Sequence, residues 1–133
     1  MRRKTQNLSQ VKKDTWNWFS RRVRLEESNK KGIGICITCG RKYHWKKAQA
    51  GHFIPGRHNG ILFDRRGVHF QCSGCNIWNY GKTLEYLDYM LKNYGQEVID
   101  ELRRKDKEIK QFTMEELLKI KEENKKIVEK LLR

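Results

Sequence analysis

Two cysteine pairs, Cys36-Ile-Thr-Cys39 and Cys72-Ser-Gly-Cys75, lie 32 residues apart and constrain this chain more than any other feature. A CxxC pair can set two thiolates on one side of a tight knuckle, and two knuckles complete a tetrahedral Zn²⁺ site. Gly40 after the first pair and Gly74 inside the second give the backbone the freedom such turns need. Two disulfides are the competing pairing, and they require an oxidising compartment. The chain opens Met1-Arg2-Arg3-Lys4 and continues with polar residues rather than an apolar run. No secretory signal is read there, so a cytoplasmic, reducing setting is expected, in which paired cysteines take metal. In finger peptides such a zinc site contributes roughly 10–16 kcal/mol at neutral pH. Four thiolates leave no open coordination position, which makes this metal structural rather than catalytic.

A staple is needed. Only 37% of the residues are hydrophobic against 35% charged, so the apolar core must be modest. No apolar stretch approaches the roughly 20 residues of a membrane span, so no membrane partner is expected. The net charge of +14 is unevenly placed. Residues 1–31 hold ten basic and three acidic side chains, and residues 32–82 hold eight basic and one acidic, Asp64. Residues 83–133 hold twelve of each. All the net charge thus accompanies the cysteines and histidines, where a polyanion is the natural partner. Four Trp and five Tyr, many among these basic residues, can stack on bases, which favours nucleic acid over an anionic membrane.

Periodicity predicts a helix from Ser9 to Ser28 with Val11, Trp16, Phe19 and Val23 on its apolar side and Lys13, Arg21 and Arg22 opposite. Two short strands are expected, Ala50 to Ile54 and Gly67 to Gln71. A helix should follow from Cys75 or Asn76 to Tyr94, burying Leu84, Leu87, Met90 and Leu91. Val98, Ile99 and Leu102 mark a short helix, and Thr113 with Glu116 forms a capping-box pattern opening the last one. That last helix presents Leu117, Ile120, Asn124, Ile127 and Leu131 near heptad spacing, which suits packing on the domain or a dimer seam. The expected organisation is a basic amphipathic helix over 1–31, a zinc-bound core over 32–95 and a helical extension over 96–133. The fold class is α+β: a small zinc-stapled ββα core flanked by helices at both ends.

Between and beyond the knuckles lie Ala50-Gly51-His52-Phe53-Ile54-Pro55-Gly56 and Phe63-Asp64-Arg65-Arg66-Gly67-Val68-His69-Phe70-Gln71-Cys72, then Cys75-Asn76. A strand bearing a histidine, a loop, a second strand and a helix is the order of a ββα-metal (HNH-like) nuclease. Over roughly residues 32–95 the combined motifs resemble the NinG/Rap family of bacteriophage recombination endonucleases. The resemblance implies structure-selective cutting of branched DNA, such as Holliday junctions and strand-invasion intermediates, in the cytoplasm of a phage-infected bacterium. It also implies Asn76 as a ligand of the catalytic metal, in the place of the last His or Asn of HNH proteins. Many of those proteins carry Asp just before the base, where this chain has Gly51; Asp64 or His69 is expected to substitute. They also carry an Asn where this chain has Gly67, and Asn59 is a candidate replacement.

The chemistry can be read from the residues alone. Phosphodiester hydrolysis needs an activated water, charge relief on phosphoryl oxygens and a stabilised leaving oxygen. His52, ordinarily near pKa 6.5, can take the proton, so a rate rising through about pH 6–7 is expected. Mg²⁺ or Mn²⁺ would supply the Lewis acid. Lys46, Lys47, Arg57, Arg65 and Arg66 surround the motifs as phosphate contacts, with Arg21 and Arg22 of the first helix as a second group. His44 and His58 read as surface or phosphate-contacting residues. Symmetric junction cutting calls for a homodimer. The rival readings are a non-catalytic zinc-ribbon DNA-binding recombination accessory protein and a zinc-stabilised protein-interaction module.

Overall fold

A computed structural model describes residues 7–133; the basic start, Met1 to Lys4, lies outside the described residues. Helix α1 (Leu8–Glu26) is capped by Asn7, whose side chain accepts from the Gln10 amide. It buries Val11, Thr15, Phe19 and Val23, a stripe at helical spacing. Two short antiparallel ribbons follow. Strands β1 (Ile33–Ile35) and β2 (Lys42–His44) flank the first knuckle, and β3 (Ala48–His52) pairs with β4 (Val68–Cys72). The register sets Gly51 opposite His69 and His52 opposite Val68.

Because side chains alternate along a strand, the β3–β4 ribbon has two distinct faces. Ala50 and Val68 pack with Phe19 and Val23 of α1 on one face. On the other, the Tyr86 hydroxyl donates to the Gly51 carbonyl and His69 packs edge-on to Tyr89. A second apolar cluster joins Phe53, Ile61, Tyr86, Met90, Ile99 and Leu102.

The helix expected from Cys75 onward is interrupted. A single π turn spans Gly74–Trp78, and α2 starts only at Thr83 and runs to Asn93. Between them Tyr80, Gly81 and Lys82 all take positive φ, a conformation that costs a non-glycine residue about 1–2 kcal/mol and cannot continue a right-handed helix. The break also rotates the buried face: Tyr86 and Met90 are buried, whereas Leu84 is 76% exposed and Leu91 is exposed too. Helix α3 (Gln96–Asp106) buries Ile99 and Leu102. Helix α4 (Met114–Leu131) opens on the reciprocal Thr113–Glu116 capping box.

Helix α4 lies along α1. Thr15 Oγ1 donates to the Leu117 carbonyl at 3.3 Å, Arg22 Nη1 to Asn124 Oδ1 at 3.2 Å, and Lys121 pairs with Asp14 at 2.8 Å. Leu117 and Asn124 of the expected heptad are therefore buried within one chain. The α4 stripe packs on the domain through Leu117, Asn124 and Val128, while Leu131 at its end stays exposed.

Candidate functional site

The two knuckles bring Cys36, Cys39, Cys72 and Cys75 together, with all four sulfurs within 4.8 Å of one another. The Gly40 amide closes the first knuckle on the Cys36 carbonyl at 2.9 Å, and the Cys75 amide points at Cys72 Sγ at 3.4 Å. The Ile37 amide bonds the Phe70 carbonyl at 3.0 Å, tying the first knuckle to β4. This donor set and grouping fit one tetrahedral zinc ion rather than two separate bridges.

Beside the knuckles a cleft of about 570 Å³ runs between α1 and the π turn, lined by Trp16, Arg24, His52, Arg57, Asn76 and Tyr80 among others. His52 ends β3 and stacks on Trp16 at 5.1 Å between ring centroids. Its Nε2 lies 3.1 Å from the Leu62 carbonyl. A carbonyl only accepts, so the proton resides on Nε2 and Nδ1 keeps the lone pair. Burial lowers its pKa to about 4; the Leu62 bond opposes this and the Arg57 charge adds to it. The ring is thus neutral at pH 7, and the rise expected through pH 6–7 moves to lower pH. Arg57, at φ 51°, lies 4.4 Å over the Trp16 ring. Arg24, not anticipated from the sequence, donates to the Ser20 and Trp45 carbonyls while lining the same cleft.

Four other expected residues face elsewhere. His69 is one register step from His52 but on the opposite face, 2% exposed. Its Nδ1 meets Glu27 Oε2 at 2.8 Å and its Nε2 the Arg66 carbonyl at 2.7 Å. Arg65 completes this network, bonding Glu26, Glu27 and the Val68 carbonyl. Burial pushes the Glu27 carboxyl up, but His69 and Arg65 outweigh it and hold its pKa below the ordinary value. Asp64 accepts from Arg66 at 2.8 Å and from Lys105 at 2.6 Å, and caps the short 3₁₀ turn Arg65–Gly67. Burial again acts upward and those cations prevail, bringing Asp64 to about 2. Neither His69 nor Asp64 lines the cleft, and both are engaged in internal ion pairs. Arg66 also bonds Glu101 at 3.0 Å, so Arg65 and Arg66 are committed to internal ion pairs.

Of the remaining Lys and Arg candidates, only Arg22 is held in an ion pair. Lys46 and Lys47 are exposed on the 3₁₀ turn Trp45–Lys47. Arg21 lies 4.7 Å over Trp18, while Arg22 is spent on Glu26 and Asn124. His44 caps the Trp45–Lys47 turn, His58 pairs with Asp106 at 2.7 Å, and Asn59 bonds the Lys110 carbonyl. Asn59 therefore braces the connection to α4 rather than the loop after β3. The Phe53 amide bonds the Gly67 carbonyl at 2.8 Å and does part of that bracing.

Asn76 sits inside the π turn, not at a helix cap, and its Nδ2 donates to Gln49 Oε1 at 2.5 Å. Its Oδ1 is directed toward Gly51, as is the buried Gln71 Oε1, which has no hydrogen-bond partner. Amide oxygens are acceptable ligands for Mg²⁺ or Mn²⁺, and an orphaned one beside a side-chain-free glycine is compatible with such an ion.

The fold and the cysteine cluster define a small α+β protein with one site able to hold zinc. The chain belongs to the NinG family: the model of the bacteriophage lambda NinG protein matches residues 1–133. Protein ninG of Escherichia phage lambda is 31% identical over 91 residues, covering 66% of this chain and 43% of that protein. Protein ninG of Escherichia phage 933W is 33% identical over 70 residues, covering 50% of this chain and 33% of that protein. The matched stretch thus spans less than half the length of these relatives. No solved structure matches the chain. Among the described residues no helix is long and apolar enough to cross a membrane.

Proposed function

We propose that this chain is a metal-dependent endonuclease that hydrolyses phosphodiesters at branched DNA, such as Holliday junctions or strand-invasion intermediates, in phage recombination. The observation that carries this is His52: a neutral imidazole lining a cationic cleft, its Nε2 proton committed to the Leu62 carbonyl and its Nδ1 left with a free lone pair. Such a ring can take a proton from an attacking water without first losing one. Trp16 holds its plane by stacking. Arg57 and Arg24 flank it and can hold phosphate oxygens, which positions a backbone without reading sequence. Asn76 is the leading ligand for a divalent ion, which would supply charge relief on the phosphoryl group.

Branch preference has its own support. Tyr80, which lines the cleft with Ile77, is 90% exposed, and Trp78 at the end of the π turn is 78% exposed. Aromatic faces so placed can stack on bases that a junction leaves unpaired, at about 1–3 kcal/mol each. Symmetric resolution takes two chains, one for each strand cut.

The test uses zinc-loaded protein on a labelled four-way junction and a linear duplex of the same sequence, with Mg²⁺, Mn²⁺ or EDTA. Cleavage that needs the divalent ion and favours the junction is the expected result. Salt-sensitive junction binding with no cleavage under any metal would replace the enzyme by a zinc-dependent DNA-binding accessory protein.

A further inference from the structure

Gln71 Oε1 is the one buried side-chain nitrogen or oxygen among the described residues that lacks a hydrogen-bond partner. Gln71 is fully buried, and an unpaired acceptor in such a place costs about 1–3 kcal/mol. The direction of its amide is fixed from the other end. Nε2 donates to Thr38 Oγ1 at 3.1 Å and to the Gly81 carbonyl at 3.0 Å. Turning the amide would set its oxygen against the Gly81 oxygen, two acceptors face to face.

The oxygen so aimed lies over Gly51. A Cβ at that position would collide with it, standing 2.8 Å from Gln71 Cδ and 2.9 Å from Asn76 Oδ1. Glycine at 51 and glutamine at 71 are thus one feature. Gln71 Oε1 fills the space in which the side chain of an aspartate before His52 would begin.

The geometry points to Gln71 Oε1 and Asn76 Oδ1 as a paired binding site for a hard divalent cation, with Gln49 as the positioning residue that holds Asn76. Hard cations accept amide oxygens and keep several of their waters, so two protein ligands suffice when a substrate phosphate completes the shell. Two neutral oxygens in a chain of net charge +14 make a weak site for a free ion. The free protein still takes the ion in fast exchange, and bound DNA, which brings negative charge, tightens it. The purpose of the ion rests on the nuclease reading; its binding does not.

The competing arrangement needs no ion. If the Gln49 and Asn76 amides were both turned, Asn76 Nδ2 would donate to Gln71 Oε1 and satisfy it. Paramagnetic broadening separates the two. Sub-stoichiometric Mn²⁺ is added to zinc-loaded, ¹⁵N-labelled protein, and the side-chain amide signals of Gln71 and Asn76 are followed. The expected result is that these two broaden first and recover with excess Mg²⁺. In Gln71→Met the Asn76 signal should lose its broadening. Asn76→Asp, which leaves the Gln71 network intact, should bind Mn²⁺ more tightly, because a carboxylate replaces a neutral amide oxygen. The proposal fails if the Gln71 and Asn76 signals stay sharp while surface carboxylates broaden. It fails equally if Asn76→Asp binds Mn²⁺ no better than wild type. Mn²⁺ at these amides without junction cleavage would sink the nuclease reading and leave the site standing. Cleavage with no Mn²⁺ at these amides would do the reverse.

Discussion

The β3–β4 ribbon carries a histidine on each face, and the two have opposite surroundings. His52 lies against Trp16 at the edge of an open cleft, with one ring nitrogen bonded to a carbonyl and the other unspent. His69 is enclosed, with a carboxylate at one nitrogen, a carbonyl at the other and Tyr86, Tyr89 and Tyr94 around the ring. They sit on neighbouring register pairs, so strand alternation alone assigns them to different faces. A histidine available for proton transfer and one that holds a fold together can thus differ by a single step along a ribbon. The open nitrogen and the cleft mark the difference, not the residue type.

Removing zinc should erase the comparison altogether. The second knuckle closes β4 at Cys72 and the first bonds its Phe70 carbonyl, and a site worth roughly 10–16 kcal/mol rivals the whole stability of an ordinary small domain, about 5–15 kcal/mol. Chelation at neutral pH should therefore abolish the chain's cooperative thermal transition, and restored zinc should bring it back. A folded, cooperatively melting apo-protein would show that the cysteines are not the staple.

The next largest effect separates the faces. His69→Ala leaves Glu27 and Arg65 half-buried with part of their network gone, and should cost about 2–4 kcal/mol in a denaturant titration. His52→Ala removes one stacked ring at a cleft edge and should cost about 1 kcal/mol. Equal losses would mean that His52 is as structural as His69.

Acid sharpens the same contrast. With its pKa lowered to about 4, His52 remains neutral through the physiological range. Junction kcat/KM should be flat from pH 6 to 8 and fall only in more acid solution, nearer pH 4–5. A limb at pH 6–7 would place the base elsewhere. Glu27 acts in the other direction, on stability. Its lowered pKa adds stability that is present above the unfolded carboxylate value and lost as pH falls through the folded one. Acid unfolding should accordingly begin in the His69 network, visible as early exchange of the β4 amides.

The smallest effect concerns arginines. Arg57 lines the cleft, whereas Arg65 is spent on Glu26 and Glu27. Arg57→Ala should flatten the plot of log K against log salt by about 0.9 if one phosphate contact is lost. Arg65→Ala should lower stability and leave that slope unchanged.

Spacing and periodicity made the zinc cluster, α1 and the Thr113 capping box legible in the sequence, because each depends on residues near one another in the chain. The two strands were legible to within two residues, with β3 beginning at Ala48 instead of Ala50 and β4 at Val68 instead of Gly67. What the sequence concealed depends on long-range partners. Trp16 reaches His52 from α1, and Glu27 reaches His69 and Arg65 from just beyond it. No local pattern marks either meeting. Arg65, Arg66 and Asp64 read as phosphate contacts and a metal ligand because a charge run shows its sign but not its pairing. The helix after Cys75 was drawn too early because Leu84 to Leu91 keep helical spacing while Tyr80 and Lys82 turn left-handed. Gln71 carried one signal that was present from the start: a polar residue on a strand opposite the histidine motif, buried where its neighbours are apolar.

The measurement that bears most directly on the whole account is single-turnover cleavage of a four-way junction by zinc-loaded wild type and His52→Ala in Mg²⁺ and Mn²⁺, with junction binding measured on the same preparations. The account predicts equal binding and a rate about 10²–10⁴-fold lower in the variant. Equal cleavage by both proteins, or none by either while both bind, would contradict it.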